Sequence, residues 1–245
     1  MKTAQSIVAF TVLLAITACA PTSVEVTGEV SGQLPKPDRI LVYDFAVTPD
    51  EVKLDSGLEA DVKSDIEHTT SASARSAQEV KIGHAVANAI SDELVKAIQG
   101  YGFPAERGLG LPAPSGGHTY LVKGQLFSID EGNSTERVVI GLGAGRNSVQ
   151  ARVQFYELTP EGLSKVESMR GEAKGMAQPG MAETMGVGAI AGHLLVSTLV
   201  SGALTAGNEL SWGSVNADSK RLAKAVAADL EKYFISQGWL HSMPQ

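Results

Sequence analysis

NSVQARVQFYEL, residues 147–158, runs through the turn TPEG at 159–162 toward KVESMRGEAK at 165–174. In the first stretch Val149, Ala151, Val153 and Phe155 alternate with polar residues. A period of two sends one set to a buried face and the other to solvent, the pattern of a half-buried antiparallel strand. The second stretch is its expected partner across the turn. Upstream, HTYLVKGQLFSID (118–130) alternates well enough for a third strand. RILVYDFAV (39–47) is a short apolar run rich in β-branched and aromatic residues, and it reads as a buried central strand. Phe103 to Glu106 suggests one more short strand.

Helical periods lie between and after these strands. Ser76-Ala-Gln-Glu79 is a capping-box pattern. Beyond it Gly83, Val86, Ile90, Leu94, Ala97, Ile98 and Tyr101 share one helical face, and Gly100 and Gly102 supply stop signals. A last helix is expected from Asp218, read as its N-cap, to Gln237, with Leu222, Val226, Leu230, Tyr233 and Phe234 facing inward. The fold class that follows is α/β: a mixed sheet packed with helices in a two- or three-layer sandwich. Residues 39–240 form one such domain, with a polar loop at 48–77. An apolar segment follows at 181–210. Within it, residues 186–207 hold five Gly and four Ala and no Asp, Glu, Lys or Arg. It reads as a Gly/Ala-rich helix or helical hairpin, with Gly188 and Gly192 in the G-x-x-x-G relation that suits close helix contact.

The N-terminus carries an address. Met1-Lys2, the apolar run Ile7 to Ile16 and the small residues Thr17-Ala18 form a secretory signal over residues 1–18. Cys19, the one cysteine of the chain, follows directly. A cysteine so placed resembles the bacterial lipobox, in which the sulfur carries diacylglycerol. Ala20 rather than Asp at the next position implies delivery to the outer membrane under the sorting rule of enteric bacteria. The Pro- and Gly-containing stretch 19–38 then reads as a flexible tether holding a periplasmic domain off the lipid. With Cys19 acylated no thiol remains for a disulfide or a metal site. The net charge of −7 over 245 residues argues against nucleic acid as a partner.

No constellation announces catalysis or a cofactor. Of His68, His84, His118, His193 and His241, none lies three to five residues from another, so metal-ligand spacing is missing. His84, beside the apolar helix face, reads as a partly buried packing residue. His193 is the one ionisable group of the apolar segment, with Ser197 one turn on as a partner. Gly141-Leu-Gly-Ala-Gly145 is followed by a strand and by no Gly-Lys-Ser/Thr, so a tight bend suits it better than a phosphate cradle. Arg137 and Arg146 flank those glycines and can meet a carboxylate or phosphate, or form surface ion pairs. Asp44 and Asp130, each near a strand end, are the one carboxylate pair worth testing for hydrolysis.

ILVYDFAV and the later GQLFSIDEGNSTERVVIGLGAGRNSVQARVQFYEL resemble the bacterial envelope lipoproteins grouped as domain of unknown function 4410. The matching features are Asp44-Phe45 at a strand end, Arg137, and the turn Gly141, Gly143, Gly145, Ser148 ahead of an alternating strand. The resemblance spans roughly residues 35–240 and implies a fold and an address. The expectation is therefore a non-enzymatic lipoprotein, anchored through Cys19 on the periplasmic face of the outer membrane, that binds or braces another envelope component or associates with itself. Arg137, Gly141, Gly143, Gly145, Arg146, Gly188, Gly192 and His193 are its candidate interaction residues. The alternative is a membrane-inserting assembly subunit that uses residues 181–210. A weaker one is an envelope hydrolase.

Overall fold

The computed structural model describes residues 21–48, 50, 52–53, 72–110, 117–132, 146–175 and 206–241. The elements are β1 (Thr22–Glu29), β2 (Arg39–Val42), β3 (Val52–Lys53), α1 (Ala72–Gly100), β4 (Ala105–Arg107), β5 (Thr119–Asp130), β6 (Ser148–Thr159), β7 (Gly162–Lys174) and α2 (Ala206–Ser236). One mixed sheet runs in the order β1-β7-β6-β5-β2-β4, with β3 also on β5. The meander β5-β6-β7 is antiparallel, as are β7 and β1. Strand β2 is parallel to both β5 and β4. The fold class is thus the expected α/β sandwich, and the described residues form two layers.

Both helices lie on one face. Ile40, Val42, Tyr120, Val122, Val149, Ala151, Val153, Phe155, Met169 and Ala173 line the inner side of the sheet. Val86, Ile90, Leu94 and Ile98 of α1 and Leu222, Val226, Leu230 and Phe234 of α2 complete the same core. The alternation of 147–158 is borne out residue by residue: Val149, Ala151, Val153 and Phe155 are fully buried. Aromatic rings concentrate where the C-terminal end of α2 crosses the sheet. Tyr120 stacks on Phe155 at 5.1 Å, and Phe234 lies 4.7 Å from Phe103. The turn between β6 and β7 uses Gly162 at φ 129°, a backbone conformation that favours glycine.

Three expectations change. The stretch 19–38 is not a free tether over its described part. Thr22–Glu29 is an edge strand on β7, and Gly32 and Leu34 are strapped to the residues that follow α2. There Leu34 N–H donates to Gln237 Oε1 at 2.8 Å, Gln237 Nε2 to Gly32 O at 3.0 Å, and Trp239 Nε1 to Leu34 O at 3.0 Å. α1 starts at Ala72, ahead of the capping-box serine, inside the stretch read as loop; that loop also contains β3. α2 starts at Ala206, so Asp218 is an interior residue of the helix and not its cap. Of the apolar segment 181–210, only 206–210 belong to a described element, the first residues of α2; the rest lies outside the described residues.

Candidate functional site

One end of the sheet gathers a connected set of buried polar groups. Asp130 of β5 is opposite Ser148 of β6, Ser148 is opposite Lys174 of β7, and Thr22 of β1 is opposite Ala173. Lys174 N–H also donates to Pro21 O at 2.9 Å, so the ladder reaches the first described residue. Asn147, immediately before β6, is 3% exposed, and Asp218 of α2 is 1% exposed. Asn147 Nδ2 donates to Asp218 Oδ2, and Arg221 Nη2 pairs with Asp218 Oδ1. Arg221 Nη2 also donates to Lys174 O at 2.8 Å, and Gly175 N–H to Asn147 O at 2.8 Å. Gly175 is required here because a Cβ would collide with the Asn147 amide. The network ties the start of β6, the end of β7 and the side of α2 into one corner. Burial pushes the Asp218 carboxyl up to about 6, against the opposing pull of Arg221 and Asn147.

The Asp44-Phe45 pair at the end of β2 divides into two tasks. Phe45 packs over Gly124 of β5, where any Cβ would strike its ring. Asp44 is exposed and pairs with Arg107 of β4, whose guanidinium also meets Asp92 and, at 3.2 Å, Asn88 Oδ1 of α1. Asp44 and Asp130 are not brought together. The ladder places Val42 at Val122 and Ala46 at Gln125, so Asp130 lies six or seven residues further along β5 than Asp44. At about 3.3 Å per residue that is roughly 20 Å, beyond the ~5–9.5 Å of carboxylate pairs in glycoside hydrolysis. Asp130 instead accepts Gly132 N–H at 2.7 Å and lies 3.9 Å from Lys53.

A second buried acid lies deeper along α2. Glu167 of β7 is 3% exposed, Asp229 8% and Tyr233 3%. Glu167 Oε2, Asp229 Oδ2 and the Tyr233 hydroxyl each have no hydrogen-bond partner, while Asp229 Oδ1 accepts from Lys232 at 3.0 Å. Burial, then the neighbouring Asp229 and Glu29, push Glu167 up to about 8, so it holds its proton at neutral pH.

Of the candidate interaction residues, Arg146 is half-buried beside the Asn147 corner. Cys19, Arg137, Gly141, Gly143, Gly145, Gly188, Gly192 and His193 lie outside the described residues. His84 is exposed and not a packing residue: its position turns outward from the Ile82, Val86, Ile90 stripe. Among the described residues no group of three or more His, Cys, Asp or Glu is placed to hold a metal, and no helix is long and apolar enough to cross a membrane. Sequence reasoning missed Asn147, Asp218, Arg221 and Arg107 as partners. Asn147 and Asp218 are 71 positions apart, and topology alone brings them together.

No curated protein matches the sequence. Among solved structures, a PelC dodecamer from Paraburkholderia phytofirmans is similar over 84% of this chain and 96% of its own, at 12% identity and a TM-score of 0.34. A protein of Caulobacter crescentus that bears the name lipoprotein is similar over 61% of this chain and 83% of its own, at 13% identity and a TM-score of 0.29. The family model described as "Domain of unknown function (DUF4410)" matches residues 40–192, from the first buried residue of β2 past the end of β7, and the chain belongs to that family.

Proposed function

We propose that this protein is a lipoprotein of the outer membrane, facing the periplasm, that acts by binding or bracing another envelope component rather than by catalysis. The observation that carries the reading is the N-terminal sequence: a basic start, an apolar core, small residues and then Cys19, with Ala20 after it. Several acyl chains on one residue hold a body to lipid stably, whereas a single chain does so marginally. The separation of Asp44 from Asp130 removes the one carboxylate pair on which a hydrolase reading was built. The candidate interaction residues Arg137 to Arg146 lead into β6 at the Asn147 corner, which supports that end of the sheet as the place a partner meets.

The test is Cys19→Ser. The variant is expected in the soluble periplasmic fraction at wild-type abundance, while the parent sediments with outer membrane. A variant that still sediments with membrane contradicts the reading. The charge-free run 186–207 supports a second reading, a membrane-inserting assembly subunit. Protein made without acyl chains would then bind liposomes, and deletion of 181–205 would abolish the binding.

A further inference from the structure

We infer that the face of the sheet turned away from both helices is a docking surface for an acidic segment of a partner protein, held by the cross-strand pair Arg152 and Arg170. This gives the partner of the proposed binding role a chemistry, and it rests on that reading for there being a partner. Register settles the face. Val153 and Met169 are opposite each other and belong to the core. Arg152 and Arg170 are the next residues along β6 and β7 and are also opposite each other, so they project from the other side. Both are exposed. Like charges directly opposite on neighbouring strands destabilise a sheet. Among the described residues neither guanidinium forms an ion pair or a hydrogen bond that would offset this repulsion. Glu25 of β1 is opposite Arg170 and makes no ion pair with it.

Further cations share the face. Gln154 and Tyr156 alternate with the core residues Val153 and Phe155, and they are opposite Lys123 of β5 and Lys165 of β7. Rings hold two of the cations in place: Arg170 lies over Phe127 at 5.3 Å and Lys123 over Tyr43 at 5.2 Å. The other carboxylate of β7 on this side, Glu172, is taken by Lys174 at 3.0 Å and by Gln150 Nε2 at 2.9 Å. The middle of the face is thus cationic in a chain whose net charge is −7. Charge complementarity selects an acid as the occupant, and the residue types select a protein, because Arg and aromatic residues are enriched where proteins meet. A guanidinium takes a carboxylate through two parallel hydrogen bonds. Cβ atoms of a cross-strand pair are about 4.5–5.5 Å apart, close to the roughly 5–6 Å between residues one turn apart on a helix. Two acidic residues at i and i+4 of a partner helix therefore meet both guanidinium groups at once. A helix in that place also supplies the layer that the described residues lack on this side of the sheet.

The test uses the full acylated protein in non-ionic detergent and a fluorescein-labelled helical peptide with Glu at every fourth position among alanines. The parent is expected to bind the peptide at low salt, against its own net charge, and to release it as salt rises. Arg152→Gln with Arg170→Gln is expected to weaken binding about tenfold or more. The melting temperature of that variant should equal or exceed the parent's, because the like-charged pair is gone. Lys96→Gln with Lys220→Gln removes as much charge from exposed positions on the two helices and should leave the affinity unchanged. Absence of binding by the parent, or equal binding by the arginine variant, overturns the inference. A lower melting temperature of the arginine variant assigns the pair a structural role and overturns it too. Polygalacturonate or polyphosphate that displaces the peptide and binds more tightly, charge for charge, rules out a protein as the occupant. None of these outcomes bears on the fractionation of Cys19→Ser, so the anchor and the docking face stand or fall separately.

Discussion

Asp218 and Glu167 are both buried carboxylates on the helix side of the sheet, yet they are held in opposite ways. Asp218 has Asn147 and Arg221 on its two oxygens, while Glu167 has an unpartnered oxygen and two acidic neighbours. Burial raises both, to about 6 and about 8. At neutral pH the first is therefore a charged, paired group and the second a neutral acid. The corner with the paired charge lies at the sheet end where Pro21 meets Lys174, although Arg221 Nε there has no partner. Glu167, beside Asp229 and Tyr233, lies about 16 Å further along α2, on the way to the solvent-facing turn.

The strongest way to break this contrast is Arg221→Ala. It leaves the buried Asp218 without its cationic partner, which pushes its carboxyl further up, and removal of one member of a buried pair costs about 3–5 kcal/mol. Chemical denaturation should show that loss, and adding Asp218→Asn should recover part of it. Asn147→Ala leaves one Asp218 oxygen unmet and should cost about 1–3 kcal/mol by the same measurement. Glu167→Gln works in the other direction. It removes an ionisation that the fold opposes, so its melting temperature should exceed the parent's at pH 9 and match it at pH 5.

The sign for the parent follows from the same shifts. Both acids bind protons more tightly folded than unfolded. Their contribution is complete below about pH 4 and is lost as pH rises through about 6 for Asp218 and about 8 for Glu167. A stability scan from pH 5 to 9 should fall. The smallest effect is expected at Asp44. Its side chain is 61% exposed and its partner Arg107 28% exposed, so Asp44→Asn should change stability by under about 1 kcal/mol despite its place in the family motif.

How much of this was legible beforehand varies by element. Strands β5, β6 and β7 and the buried faces of both helices follow from periodicity, because each buries a regular stripe. Strand β1 did not stand out. Val24 and Val26 alternate with polar residues, but the edge strand buries little and is held by ladder bonds to β7, leaving a weak apolar signal amid Pro and Gly. The start of α2 was placed twelve residues late for a related reason. Gly207, Asn208 and Gly213 lower helix propensity, and tertiary packing at Val215 and Asp218 overrides it. Asp218 carried a local signal, an acidic residue ahead of an apolar stripe, that suits a cap. Its role instead comes from a neighbour on another strand, and that is a property of topology. The same holds for Arg107 and Asp44, which β2 and β4 bring together through parallel pairing.

The anchor carries the proposed function, and the mass of the mature N-terminal peptide tests it most directly. Peptide from membrane-extracted protein should begin at Cys19 and carry a diacylglyceryl thioether. A peptide with a free Cys19 thiol, or one that begins elsewhere, would contradict the account.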